Sequence, residues 1–440
     1  MLEPLTLGIL GAAALLILVF LGMRVAFASG LVGLIGLAIL RGFDPAAGLA
    51  GLLAYAEVSR YTLSVVPMFI LIGYLAFHAG LTQGAFAAAR AWVGRLPGGL
   101  ALATIFATAG FGAVSGASTA TAAVFARICI PEMLKSGYDP RLATGTVAVG
   151  GTLAALIPPS AILVLYGIIV EQSIGALLLA GFIPGILSAI VYGTVIVGRV
   201  MVNPALGRPE PPTTWPLKFK ALGQSGGLLA VIGIVIGGLY TGWMTPTEVG
   251  GVGAFIVFGM AVARRGTTRA DIVEALMDTA KLTAMVLTVV WCVMIFVRFL
   301  GFTGLPPALA QWIGGLEVPR IVILLAILAV YLVLGMFIDG LGMMLLTLPV
   351  VFPVIVKLGY DPIWFGIIVV KMIEIGLVTP PVGLNCFVVN GVRPDIPLET
   401  VFRGVIPFVI ADFFTLALLI AVPEIALWLP KQMAATGDGG

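Results

Sequence analysis

Apolar runs of helix length, parted by short polar or glycine- and proline-marked breaks, fill this chain from end to end. Runs such as 5–22, 174–198 and 402–429 carry almost no charge. Each matches the roughly 20 residues that a membrane-spanning helix needs. The pattern predicts helices near 5–22, 25–41 and 62–80, with Asp44-Pro45 opening an amphipathic, interfacial piece between the last two. A re-entrant hairpin is expected over 98–130, with its tip in Gly112-Ala113-Val114-Ser115-Gly116-Ala117-Ser118-Thr119. A helix over 142–170 follows, interrupted by Pro158-Pro159, and then an intact one at 174–200. Residues 202–220 hold five prolines and read as a polar cytoplasmic linker. After it come helices near 222–240, 247–264 and 279–299, a hairpin at 320–356, an interrupted helix at 363–391 and a last helix at 402–429. The tail at 431–440 is expected to be disordered.

The second half repeats the first. Pro131, Lys135, Gly137-Tyr138-Asp139-Pro140 and Pro158-Pro159 recur 222 positions later, without a gap, as Pro353, Lys357, Gly359-Tyr360-Asp361-Pro362 and Pro380-Pro381. Eight identities at structurally demanding residues, within 29 aligned positions, mark an internal repeat. The chain divides into a first repeat at 1–201, the linker, and a second repeat at 221–430. Between the hairpins it crosses the membrane once in the interrupted helix and four times in intact helices, an odd total. The second hairpin then opens from the opposite face, so the repeats are inverted, and inverted repeats place a working site between the halves. Segment 320–358 is also long enough for two full spans, and both readings return the chain to the same face. Asp339 at the turn favours a tip buried in protein at mid-depth.

Composition confirms the class. With 60% hydrophobic and 10% charged residues and a mean hydropathy of +1.17, the chain cannot present an ordinary water-facing surface. It is an all-α polytopic membrane protein. No basic residue precedes the first apolar run and no small-residue cleavage site follows it, so it reads as a retained helix and not a signal peptide. Of 23 Lys and Arg, 16 fall on one face, six (Arg41, Arg60, Arg298, Arg320, Lys357, Lys431) on the other, and Lys371 inside a span. That bias puts both termini outside, with the first hairpin open to the cytoplasm and the second to the outside. The net charge of +3 makes no case for a nucleic-acid partner. Cys129, Cys292, Cys386 and the single His78 form neither a disulfide framework nor a metal site.

The double prolines carry the first candidate chemistry. Proline has no N–H for the carbonyl four residues earlier, and its ring clashes with it. Pro158-Pro159 therefore frees the carbonyls of Ala154 and Ala155, and Pro380-Pro381 those of Gly376 and Leu377. Inside a bilayer such oxygens need a partner, and irregular backbone survives only where protein or a cavity surrounds it. A cation can supply that partner, with Ser160 and Thr379 completing its shell. A proline kink satisfied by water or a neighbouring helix is the plainer alternative for either break alone, and the two symmetry-related breaks beside polar tips favour the ion site. In the first tip, Ser115, Gly116 and Ser118 combine small size with hydroxyls; a small-residue packing face would look the same. In the second, Gly335-Met336-Phe337-Ile338-Asp339-Gly340 sets a costly carboxylate in an apolar run. Asp339 is either an ion ligand or the cap of the tip. Lys371 and Glu374 share a helix face and read first as a mutually neutralising pair. Asp412 and Arg298 are intramembrane charges without an evident partner. Gly116-Ala117-Ser118 looks superficially like the turn of an intramembrane serine protease, but His78, the sole histidine, lies at a helix end far from Ser118. A continuous channel fits two re-entrant tips poorly.

These motifs together resemble one family: the large, DctM-like membrane subunit of tripartite ATP-independent periplasmic (TRAP) transporters. The resemblance covers nearly the whole chain. It is carried by the first tip, by Pro131-Glu132-Met133 with Gly137-Tyr138-Asp139-Pro140, by Gly151…Pro158-Pro159-Ser160 and by Gly335 through Asp339. Asp361-Pro362-Ile363-Trp364-Phe365-Gly366 and Glu374-Ile375-Gly376…Thr379-Pro380-Pro381-Val382-Gly383 complete it. It implies an elevator-type secondary transporter in the bacterial cytoplasmic membrane, importing small organic anions, often carboxylates, with sodium as the coupling ion. It also implies two partners, a periplasmic substrate-binding protein and a small four-helix membrane subunit. Because the chain starts at the first large-subunit helix, the small subunit is expected to be separate. A stand-alone sodium–anion symporter is the alternative. Carried over as sodium ligands are Ser115, Gly116, Ser118, Ala154, Pro158, Ser160, Asp339, Gly376, Thr379 and Pro380. Ser160, Thr379, Gly383, Asn385 and Lys371 are candidates for the substrate, with Asn390 beside them. Phe125-Ala126-Arg127 departs from the family pattern, in which this return arm is small and glycine-containing.

Overall fold

The computed structural model, which describes residues 3–264 and 266–437, resolves the apolar runs into helices and shows no strand among them. The first half holds α1 (Pro4–Phe20), α2 (Val25–Arg41), α3 (Phe43–Val58), α4 (Val65–His78) and α5 (Leu81–Val93). It continues with α6 (Gly99–Ser115), α7 (Ser118–Lys135), α8 (Pro140–Thr152), α9 (Ala161–Ile169) and α10 (Ile174–Val202). The linker ends in α11 (Trp215–Gln224). The second half holds α12 (Gly226–Tyr240), α13 (Pro246–Ala263), α14 (Arg269–Thr303), α15 (Leu305–Gly314) and α16 (Arg320–Gly335). After these come α17 (Gly340–Lys357), α18 (Pro362–Val378), α19 (Leu384–Val392), α20 (Leu398–Ala421) and α21 (Glu424–Gly437). Six of the described helices are long and apolar enough to cross a membrane, or seven if α11 and α12, bent by 59°, form one span. The shorter apolar helices include α1, α2, α6 and α16.

The repeated Gly-Tyr-Asp-Pro motif is a connector between helices. Gly137 and Gly359 both take positive φ, 78° and 74°, just past the ends of α7 and α17. Such a conformation suits glycine at the end of a helix. Asp139 then caps α8 by accepting from the Arg141 N–H at 2.7 Å. Asp361 caps α18 by accepting from Ile363 and Trp364 at 2.8 and 2.9 Å. Each following proline occupies the first helical turn, where its missing N–H costs nothing.

The 222-residue spacing extends over the whole fold. It carries α1 and α2 onto α12 and α13, and the hairpin α6–α7 onto α16–α17, within a residue or two. The interrupted helices α8–α9 and α18–α19 also match, except that α18 runs to Val378, four residues past the counterpart of the α8 end at Thr152. Packing follows the exchange: α2 lies against α14 while α13 lies against α4. Six elements depart from the sequence reading. Helices α5 and α15 fill stretches left unassigned, and α14 begins ten residues before the expected 279, at a capping box in which Thr268 and Asp271 bond each other's backbone N–H. The linker is not free chain. Glu210 accepts two hydrogen bonds from Arg90, at 2.9 and 2.5 Å, and the Asp139 N–H donates to Leu206. The last expected helix divides at Pro423, because a proline disfavours helical geometry in the residue before it. The tail expected to be disordered is helical through Gly437, and 438–440 lie outside the described residues.

Candidate functional site

Each hairpin tip meets the break of its own repeat. At the first junction, Gly116 ends α6 in the left-handed conformation, and a Cβ there would stand 2.8 Å from the Pro159 carbonyl oxygen. A Cβ on Gly112 would stand 2.9 Å from Ala154 Cα, so only glycine allows this approach. At the second, a Cβ on Gly376 would lie 2.7 Å from Gly335 backbone. Pro158-Pro159 and Pro380-Pro381 are both cis.

The polar groups at these junctions divide into engaged and idle ones. Ser160 donates to the Ala155 carbonyl at 2.5 Å and accepts from the Leu163 N–H, so one carbonyl expected to be free has a partner in the chain. Gly376 likewise accepts from the Thr379 N–H at 3.2 Å, and the Thr379 hydroxyl donates to Ile375 at 2.6 Å. Ser115 and Thr121 share a hydrogen bond of 2.7 Å. The Ser118 hydroxyl is buried and has no partner. Asp339 is a cap: it accepts from the Gly342 N–H at 3.1 Å and starts α17. It is exposed, contrary to the expectation of a tip wrapped in protein, although the Gly342 whose N–H it accepts from is buried.

The halves interlock through these elements. Helix α19 packs on α7 and α8, and in exchange α9 packs on α17 and α18. Asn385 of α19 donates to the Ala148 carbonyl of α8 at 3.1 Å, leaving its own buried side-chain oxygen without a partner. Tyr166 of α9 donates to the Pro362 carbonyl of α18 at 2.7 Å. Asn390 is spent locally on the Ile396 carbonyl.

Two cavities flank this interlocked body. One, of about 220 Å³, lies between the first hairpin and α4, lined by Ser115, Ala120 and Arg127 on one side and Tyr74 and Phe77 on the other, with Leu282 of α14. The second, of about 290 Å³, is lined by Glu57, Arg60, Glu171 and Arg298, with Pro349 of α17. Leu282 and Arg298 lie at different depths on α14, roughly 24 Å apart along its axis at 1.5 Å per residue. Arg127 and Pro349 are related by the repeat. The cavities are thus counterparts, one toward each end of the same helix.

The sequence profile described as "Tripartite ATP-independent periplasmic transporter, DctM component" matches residues 12–425. The chain belongs to the DctM family. A C4-dicarboxylate TRAP transporter large permease of Pseudomonas aeruginosa is 36% identical over 377 residues, covering 85% of this chain and 87% of that protein. A sialic acid TRAP transporter large permease of Vibrio cholerae is 34% identical over 387 residues, covering 87% and 89%. Among solved structures, the Alcanivorax borkumensis YdaH transporter aligns with a TM-score of 0.54 at 16% identity, over 82% of this chain and 85% of that one. That likeness concerns the fold alone. A DctM protein is a membrane permease component and not an enzyme.

In this DctM chain the Lys371–Glu374 pair and Asp412, which looked separate in the sequence, form one network, while Arg298 lies in the second cavity. Lys371 donates to Glu374 at 2.9 Å, to Asp412 of α20 at 2.6 Å and to Ser188 of α10 at 3.1 Å. All three ammonium hydrogens are taken, which leaves none for a substrate. Asp412 also accepts from Tyr192 at 2.7 Å, so the expectation that it lacked a partner is corrected. Sequence spacing brings Lys371 to Glu374 but cannot bring α10 and α20 to them. Arg127, too, emerges as a cavity residue only in the structure, although its departure from the small-residue pattern was a visible signal.

Proposed function

We propose that the protein is the large permease subunit of a TRAP system that imports a small carboxylate-bearing organic anion, driven by sodium, by elevator-type alternating access. The observation that carries this reading is the pair of tip–break junctions packed crosswise into one body, with a buried, idle Ser118 hydroxyl at the first. Sodium, as the coupling cargo, fits the oxygen-rich donors there: Ser115, Ser118, Ser160 and the backbone around Gly116, Ala154 and Pro158. The second ion takes the corresponding donors around Gly376, Thr379 and Pro380, with Asp339 lending negative charge beside them. The substrate sits where the cavities meet the junctions, reached by Ser160, Thr379, Gly383 and Asn385. The two relatives above are named for carboxylates, and Arg127 in the first cavity suits a carboxylate by charge and by its paired donors. A periplasmic binding protein delivers the anion and a small membrane subunit braces the scaffold, in the bacterial cytoplasmic membrane with both termini periplasmic.

The test is uptake into reconstituted vesicles, with the substrate first identified by a thermal-shift screen of the binding protein against organic acids. Uptake should need an inward sodium gradient, the binding protein and the small subunit. Robust uptake by this chain alone would favour a stand-alone symporter, and uptake indifferent to sodium would end the coupling proposal. Arg127→Ala should raise the half-saturating substrate concentration while leaving the sodium dependence in place.

A further inference from the structure

Helix α11 carries a buried lysine with no acid beside it. Lys218, 8% exposed, lies over two indole rings, its ammonium 5.6 Å from the ring centre of Trp92 on α5 and 4.9 Å from that of Trp215. Phe219 completes the cluster, 6.1 Å from Trp92 and 6.2 Å from Trp215. Ring faces attract the charge, but the three N–H donors still call for oxygen acceptors. Among the described residues the ammonium makes no hydrogen bond or ion pair. The surroundings are short of negative charge as well. Segments 90–95 and 208–220 bring Arg90, Arg95, Arg208, Lys218 and Lys220 against one acid, Glu210, which Arg90 already holds. The open side of the cluster is apolar: Trp215 is 64% exposed, Phe219 60% and Leu217 54%. A short helix with exposed rings and basic neighbours, bent by 59° from α12, has the form of one lying in a membrane interface. It lies on the face that gathers 16 of the 23 Lys and Arg.

We propose that α5 and α11 hold the headgroup of one anionic phospholipid. Its phosphate accepts from the Lys218 ammonium, and its acyl chains lie along Trp215 and Phe219. A lipid fits better than a soluble phosphate because apolar surface surrounds the ammonium, and the excess of basic residues favours a negative headgroup over a zwitterionic one. The site shares no residue with the tip–break junctions or with the two flanking cavities, so it stands apart from the transport reading. Helix α5 packs in turn on α6, so the bound headgroup anchors the linker and the base of the first hairpin at one membrane surface.

Tryptophan fluorescence of the protein in phosphatidylcholine nanodiscs tests this. Lipid brominated on its acyl chains, either phosphatidylglycerol or phosphatidylcholine, is added at matched mole fractions, and bromine quenches the indoles it touches. Phosphatidylglycerol should reach half its effect at an about fivefold lower mole fraction. This preference should vanish in a Trp92→Phe/Trp215→Phe double variant, which locates it, and in Lys218→Gln. It should persist in Lys218→Arg and Lys220→Gln, and in the presence of excess soluble glycerol phosphate. Thermal melting shows which variants fold, and Lys218→Met replaces Lys218→Gln if that one does not. Equal quenching by the two lipids in the wild type overturns the proposal, as does a preference that survives loss of the two indoles or of the lysine. A preference lost equally in Lys220→Gln would mean diffuse surface attraction and no site. One abolished by glycerol phosphate would mean a soluble ligand, and the lipid assignment would be wrong.

Discussion

Single residues at the junctions separate structural from functional roles. The Ser118 hydroxyl makes no hydrogen bond within the chain, so its removal deletes none from the folded state. An unbonded buried hydroxyl is itself a cost. Ser118→Ala should therefore leave the melting temperature in sodium-free buffer unchanged or slightly raised, while increasing the sodium concentration for half-maximal uptake. An equal loss of stability with and without sodium would mean that Ser118 is merely a packing residue. Asp339 makes the opposite case, because its hydrogen bond to Gly342 is a helix cap. Asp339→Ala should cost about 1 kcal/mol of stability. Asp339→Asn keeps a capping oxygen and should recover most of it. If Asn also restores normal sodium dependence, the carboxylate charge has no part in coupling.

At the scale of elements, closeness of backbone decides what can change. Helix α16 and the end of α18 approach through Gly335 and Gly376, with no room for a side chain at the latter. Gly376→Ala should destabilise by about 1–3 kcal/mol, as overpacking does. It should also reduce uptake more than the same substitution at Gly233, which has open space around it; equal effects at the two sites would remove the special role of the contact. The hairpins and breaks were legible because glycine and proline are placed by backbone geometry, which sequence records directly. Helix α5 was not legible, since its run of small residues around Arg90 is neither apolar enough to span nor polar enough for a loop. Helix α14 was underread because its first turns are charged, although Thr268 and Asp271 at capping spacing mark its true start. The partners of Lys371 come from α10 and α20, far along the chain. No local spacing announces them.

For the whole molecule, the inverted repeats predict the conformation that the present structure does not show. If each half can adopt the arrangement of the other, every contact between tip and scaffold has a counterpart in the opposite facing state. Here α4 touches the first tip, where a Cβ on Gly73 would lie 2.7 Å from Ser115 Cα. The second tip meets the end of α1, with the rings of Phe20 and Phe337 5.4 Å apart. The 222-residue offset carries Gly73 to Ile295 and Ser115 to Phe337. The opposite state should therefore bring Phe337 to Ile295 and away from Phe20. Paired cysteines at Phe20 and Phe337 should crosslink with a short bismaleimide in the present state, and a pair at Ile295 and Phe337 in the other. Background from Cys129, Cys292 and Cys386 is limited because all three are buried. Sodium and substrate should shift the yields of the two pairs in opposite directions, and locking either pair should stop uptake. If the Ile295 pair never crosslinks under any condition while transport proceeds, the hairpins do not exchange arrangements and the moving-body mechanism is wrong.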